Sequence, residues 1–115
     1  RIVLAGFSQG CAITLGAGLR HDQRLAGLAG LSGYLPLAGT SAAERHPASQ
    51  GLPVFLAHGR SDSMVPLARG SEARDTLQSL GCAVEWHDYP MEHSVCMEEV
   101  TALNRWLLQV LSAPL

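Results

Sequence analysis

Ser8 lies between two glycines, in Gly6-Phe7-Ser8-Gln9-Gly10, and this G-x-S-x-G spacing is where the chain could do chemistry. An apolar run, Arg1-Ile2-Val3-Leu4-Ala5, precedes it and reads as a buried strand. The stretch from Cys11 to Arg20 is rich in Ala, Leu and Gly and reads as a packed helix. A serine on the sharp turn between such a strand and helix projects its hydroxyl above the sheet, at the positive end of the helix. Gly6 and Gly10 are expected to supply the small flanks that the turn needs. The backbone N–H of Gln9 would then point at the oxygen that becomes negative during acyl transfer. A five-residue pattern also arises by chance in Gly-rich turns; the strand before it and the helix after it favour the chemical reading.

A serine nucleophile needs a base, and the base needs a carboxylate to orient it. Two further turns carry such residues: His58-Gly59-Arg60-Ser61-Asp62 and Tyr89-Pro90-Met91-Glu92-His93. Asp62 and His93 each fall just past a predicted strand, with His93 opening a helix at the mouth of the sheet. Asp88 is the rival acid, but at five residues from His93 it reaches the ring only by a tight fold-back. His21 and His46 read as solvated, and His87 lies inside a strand and projects sideways. His58 reads as a hydrogen-bonding support for the Asp62 loop. Ser32 reads as structural and Cys11 as a small core residue. Trp86 and Trp106 are expected to pack, with no base stacking implied.

The elements that must position these side chains alternate. Strands are predicted over residues 2–5, 26–32, 53–57 and 83–88, and helices over 9–20, 67–80 and 95–111. Pro66 suits the first turn of the second helix and Gly81 its C-terminal cap. Ala73, Leu77 and Leu80 form its buried stripe, and Cys96, Val100, Leu103, Leu107 and Val110 form that of the last helix. Residues 34–52 read as one long loop without structure of its own. The fourth strand alternates Val84 and Trp86 with Glu85 and His87, which marks a sheet edge with one wetter face. Such alternation predicts an α/β fold with a mostly parallel sheet and flanking helices, whose sites lie beyond the C-terminal strand ends. Ser8, Asp62 and His93 are all placed there.

Composition supports this class. Of 115 residues, 47% are hydrophobic and 16% charged, which suits a sheet covered on both faces. Net charge is −2 and the eight basic residues are dispersed, so no nucleic-acid footprint or polybasic membrane patch is present. Three cysteines without a C-x-x-C spacing give no metal or redox motif. Reduced thiols point to a cytoplasmic protein. Residues 25–43 carry no charge, but their glycines and Pro36 read as strand and loop, not as a membrane span.

Four segments occur in order: Gly-Phe-Ser-Gln-Gly-Cys-Ala (6–12), Leu-Ser-Gly-Tyr-Leu-Pro (31–36), His-Gly-Arg-Ser-Asp-Ser-Met-Val-Pro (58–66) and Tyr-Pro-Met-Glu-His-Ser-Val-Cys-Met-Glu-Glu (89–99). Together they resemble the carboxylesterase/phospholipase family, which includes bacterial carboxylesterases and acyl-protein thioesterases. The resemblance implies an α/β-hydrolase that cleaves carboxylic esters or acyl thioesters, on small or lipid-like acyl substrates, without cofactor or metal. By the same resemblance Ser8 is the nucleophile, Asp62 the orienting acid, His93 the base and Gln9 an oxyanion donor. The apolar turn residues Met64, Val65 and Met91 either touch the acyl chain or pack their loops. Two positions depart from the family: Glu92 where Gly is usual, and Cys11 where Gly is frequent. The chain also starts inside a strand, so it is expected to be the C-terminal half of the family fold. The N-terminal half, with a His-Gly loop bearing the second oxyanion donor, is then missing, and residues 2–5 form an apolar sheet edge. The alternative reading is an inactive fragment, or a binding module on the same scaffold.

Overall fold

The structure is a computed structural model and describes residues 1–112. Four strands form one sheet in the order β1 (Val3–Phe7), β2 (Gly27–Leu31), β3 (Pro53–Gly59), β4 (Ala83–Tyr89), and every neighbouring pair is parallel. The α-helices are α1 (Gln9–Arg20), α2 (Ser41–Glu44), α3 (Leu67–Ser79) and α4 (Met97–Ser112). The expected α/β class, strand count and parallel pairing are all present. The first two strands run later or shorter than predicted, and the last two extend further toward the site. Residues 34–52 are not one structureless loop: they hold α2 and two 3-10 turns, Ala38–Thr40 and Pro47–Ser49. His46 caps the second of these, its Nδ1 accepting the Ala48 N–H at 3.0 Å, so it is not the free solvated side chain expected.

Two apolar layers sandwich the sheet. On one face α1 (Cys11, Leu15, Leu19) and α3 (Ala73, Leu77) pack on Leu28, Val54 and Leu56. On the other, Trp106 of α4 packs on Ala29, Phe55 and Ala57, with Leu103, Leu107 and Val110 beside it. Burying each of the larger side chains contributes about 1.5–3 kcal/mol. The Ala73, Leu77, Leu80 stripe is buried as predicted. On α4 the stripe is rotated: Val100 is exposed, whereas Glu99 and Trp106 are buried. Residues 99, 103, 106, 107 and 110 share one helical face, and position 100 lies to its side. β1 is a sheet edge, and Ile2 beside it is 60% exposed, so the run 1–5 is not a buried strand.

Glu99 is fully buried, and neither of its carboxyl oxygens has a hydrogen-bond partner. Burial pushes this carboxyl above the usual range. The native state therefore keeps a proton that the unfolded chain has already lost. The associated stability is present below the unfolded value of about 4.3 and is lost as pH rises through the native value. Glu99→Gln stays neutral, so its Tm is expected to fall less than that of wild type as pH rises from about 4.3. Parallel Tm–pH curves for the two proteins would refute this.

Candidate active site

Ser8 joins the last residue of β1 to the first residue of α1, with φ 59° and ψ −117°. A non-glycine residue there stores about 1–3 kcal/mol of strain, held by the surrounding structure. The Ser8 N–H donates to Leu31 O at 2.9 Å, which locks the turn to β2. The Ser8 carbonyl accepts the N–H groups of Cys11 at 3.0 Å and Ala12 at 3.3 Å, which starts α1. Gln9, as the first residue of α1, has an N–H with no intrahelical acceptor, at the positive end of the helix dipole. The need for a small residue falls on Gly6 rather than on both glycines. A Cβ on Gly6 would collide with the Gly10 backbone, whereas one on Gly10 would meet nothing within 4 Å.

His93 stands between the other two predicted residues. Its Nε2 is 3.0 Å from Ser8 Oγ and its Nδ1 is 2.7 Å from Asp62 Oδ2. Asp62 is 6% exposed, and its second oxygen, Oδ1, accepts the N–H groups of Met64 at 2.9 Å and Val65 at 2.8 Å. Burial alone would raise its pKa. The Val65 N–H, His93 and the Met64 N–H outweigh that and hold it below the usual carboxylate range. Nδ1 thus carries the proton toward Asp62, and Nε2 is left to accept from the Ser8 hydroxyl. Asp88, the rival acid, is engaged elsewhere: Oδ1 with Arg60 Nε at 2.6 Å and Oδ2 with Trp86 Nε1 at 2.8 Å. His93 does not open a helix, since α4 starts four residues later at Met97.

The two loops are tied to each other. Arg60 N–H donates to Tyr89 O at 2.8 Å, and Ser61 N–H to Met91 O at 3.1 Å. Gly59, the last residue of β3, lets the second loop lie against it: a Cβ there would run into the Met91 and Glu92 carbonyls. Phe7 escaped the sequence reading. Its ring centroid is 4.9 Å from that of His93, at 44°. The signal was available, because period-two alternation puts Phe7 on the same face as Val3, which packs toward α4.

Of the predicted substrate contacts, Met64 is 74% exposed, whereas Val65 is buried and its N–H and C=O serve the turn. Val65 is therefore loop packing. Met91 is half-buried beside the Asp62 loop. An open, mainly apolar groove of about 460 Å³ starts at Gln9 and is bordered by Ala12, Ile13, Tyr34 and Pro36. Ser32 also has a positive φ, 55°, and its buried hydroxyl has no partner, but it does not join the chain of hydrogen bonds. Among the described residues no cluster of His, Cys, Asp or Glu could hold a metal ion.

The profile of the phospholipase/carboxylesterase family matches residues 1–111. The chain belongs to that family. It is 37% identical over 110 residues to acyl-protein thioesterase 1 of Yarrowia lipolytica, covering 93% of this chain and 48% of that protein. It is 43% identical over 118 residues to acyl-protein thioesterase 1 of Mycosarcoma maydis, covering 98% and 49% respectively. The crystal structure of Arabidopsis thaliana SOBER1 superposes with a TM-score of 0.89 at 29% identity, covering 96% of this chain and 53% of that one. The chain thus spans about half the length of the relatives it matches. Its fold is the matching part of an α/β-hydrolase.

The Gly59 contact yields a stability test. Gly59→Ala must push the 91–92 backbone away, and overpacking of this kind costs about 1–3 kcal/mol. Urea unfolding is expected to show that loss, with hydrogen exchange rising in residues 89–93. Unchanged stability and exchange would show that the close approach is not a constraint.

Proposed function

We propose that residues 1–115 are the C-terminal, triad-bearing part of a serine hydrolase that cleaves carboxylic esters or acyl thioesters. The observation that carries this reading is the unbroken relay from Asp62 through His93 to Ser8, at 2.7 and 3.0 Å. In the first step Ser8 Oγ attacks the acyl carbonyl carbon while His93 Nε2 takes its proton. The resulting imidazolium is stabilised by Asp62, which stays ionised because its hydrogen bonds hold its pKa low. The oxyanion faces the Gln9 N–H. As the intermediate collapses, Nε2 returns the proton to the departing alcohol or thiol and leaves an acyl-Ser8. A water molecule, deprotonated by His93 Nε2, then attacks the acyl carbon; the acyl–Oγ bond breaks, Nε2 returns the proton to Ser8 Oγ, and the acid is released. Met64 and Met91, with the groove beside Gln9, are the apolar surfaces offered to the acyl part.

A second reading, that these residues by themselves are a catalytically deficient fragment, is favoured by two observations. Only one oxyanion donor, Gln9, is identified among the described residues, and β1 has an unpaired edge. Losing one such donor costs about 10²–10³ in kcat. This 115-residue chain alone is therefore expected to turn over an activated ester about 10²–10³ more slowly than a full-length family member. Equal rates would refute the one-donor reading.

Fluorophosphonate labelling tests the nucleophile, since only an activated serine reacts. Wild type is expected to label and Ser8→Ala not to. Residual ester turnover above about a thousandth of wild type in Ser8→Ala would move the nucleophile elsewhere. Asp62→Asn is expected to lower kcat by about 10⁴, through the wrong His93 tautomer. Asp88→Asn leaves the relay intact, so if it is the more damaging change the acid is misassigned.

A further inference from the structure

His58 is 1% exposed and takes no part in the relay described above. It lies one residue before the end of β3, on the same face as Val54 and Leu56. Its Nε2 is 2.7 Å from the Val65 carbonyl oxygen. A carbonyl only accepts, so Nε2 must carry a proton and donate it. The same Nε2 atom lies 3.6 Å from Asp62 Oδ2, the oxygen that faces His93. That distance is too long for a second hydrogen bond, so His58 holds the Asp62 turn through Val65 and by packing beside the carboxylate. The Val65 N–H meanwhile donates to Asp62 Oδ1. His58 thus closes a ring: Asp62 Oδ1 to Val65 N–H, Val65 C=O to His58 Nε2, and His58 Nε2 back against Asp62 Oδ2.

The far side of the imidazole is fixed by α3. A Cβ on Gly70 would stand 2.5 Å from His58 Nδ1, so the helix backbone itself is the wall. With Val65 on one side and Gly70 on the other, the ring has one position and one tautomer that donates at Nε2.

We propose that His58 is a positioning residue for the hydrolytic relay, holding the Asp62 turn so that Oδ2 stays aimed at His93 Nδ1, with Gly70 setting the ring in place. This rests on the assignment of Ser8, Asp62 and His93 made above. His58 touches neither substrate nor Ser8, so its loss is expected to lower kcat and leave KM unchanged. A misplaced supporting group of this kind costs about 10–100-fold in rate.

The test uses this chain with two substitutions at position 58. Gln carries an N–H donor at the same number of bonds from Cβ as His Nε2, whereas Leu fills space without a donor. Single-turnover and steady-state kinetics on an activated ester are combined with proton NMR of the far-downfield Nδ1–H of His93. His58→Leu is expected to lose about 10–100-fold in kcat at unchanged KM, and to lose or shift the downfield proton. His58→Gln is expected to restore both. Gly70→Ala displaces the ring without touching it chemically, and is expected to give the same kcat loss and altered resonance if His58→Leu does not fold. Wild-type kcat and an unmoved resonance in His58→Leu or in Gly70→Ala would overturn the proposal. So would a His58→Gln protein no better than His58→Leu, since the donor would then be irrelevant. If wild type shows no Ser8-dependent hydrolysis, the hydrolase reading falls, and the downfield proton still decides the role of His58.

Discussion

A buried carboxylate must be given partners, and the loops at the mouth of this sheet are organised around that requirement. Asp62 has lost its water, and an unpaired charge there would be costly. The chain answers by turning sharply after Asp62, so that the Met64 and Val65 N–H groups reach Oδ1. Oδ2 is then free to face His93. The turn that satisfies the carboxylate also carries the Val65 carbonyl to His58. Satisfaction of one charge and placement of one imidazole are the same set of hydrogen bonds. Asp88 resolves its charge differently, at the sheet edge, with Arg60 and the Trp86 indole. Its carboxylate is therefore spoken for.

The parallel sheet converts sequence order into one crowded rim. Because all four strands run the same way, β1, β3 and β4 deliver Ser8, Asp62 and His93 at the same end. The register between β3 and β4 sets the rest: Gly59 faces Tyr89, and the bonds Arg60 to Tyr89 and Ser61 to Met91 extend the pairing beyond the strands. The outer strands differ in character. β4 carries Glu85 with His87 and Arg105, and Asp88 with Arg60, the kind of charged dressing that blunts an edge. At the ends of β1, Ile2 just before it and Phe7 as its last residue remain exposed.

The Cys11 side chain is accommodated by packing against two glycines. Its sulfur sits where Cβ atoms on Gly30 and Gly33 would stand 2.6 Å away, so two glycines on β2 and the following turn make its room. Burial pushes the thiol up to about 12, which leaves it uncharged and a poor nucleophile three residues from Ser8. Glu92 projects an exposed side chain, and its backbone carbonyl is what lies on Gly59.

Much of the fold and of the candidate site was legible in the residues, for local reasons. Apolar runs and helical spacing fix where strands and helices form. The G-x-S-x-G spacing marks the elbow, and the order of Ser8, Asp62 and His93 past strand ends limits which side chains can meet. Pattern alone could not say that Val100 faces out while Glu99 faces in, because a rotation of one residue around a helix is set by what it packs against. The short helix and two 3-10 turns within 34–52 were equally hidden: α2 and the 47–49 turn pack on α1, and the 38–40 turn packs on α2. Nor could it separate Gly6 from Gly10, or show Gly70 against His58; alternation gave the face of Phe7 but not the ring it meets. These are contacts between residues distant in the chain, and only closure of the sheet and docking of the helices bring them within van der Waals reach. The sequence by itself determined the elements and the chemical groups at their ends; the tertiary structure decided which atoms those groups face.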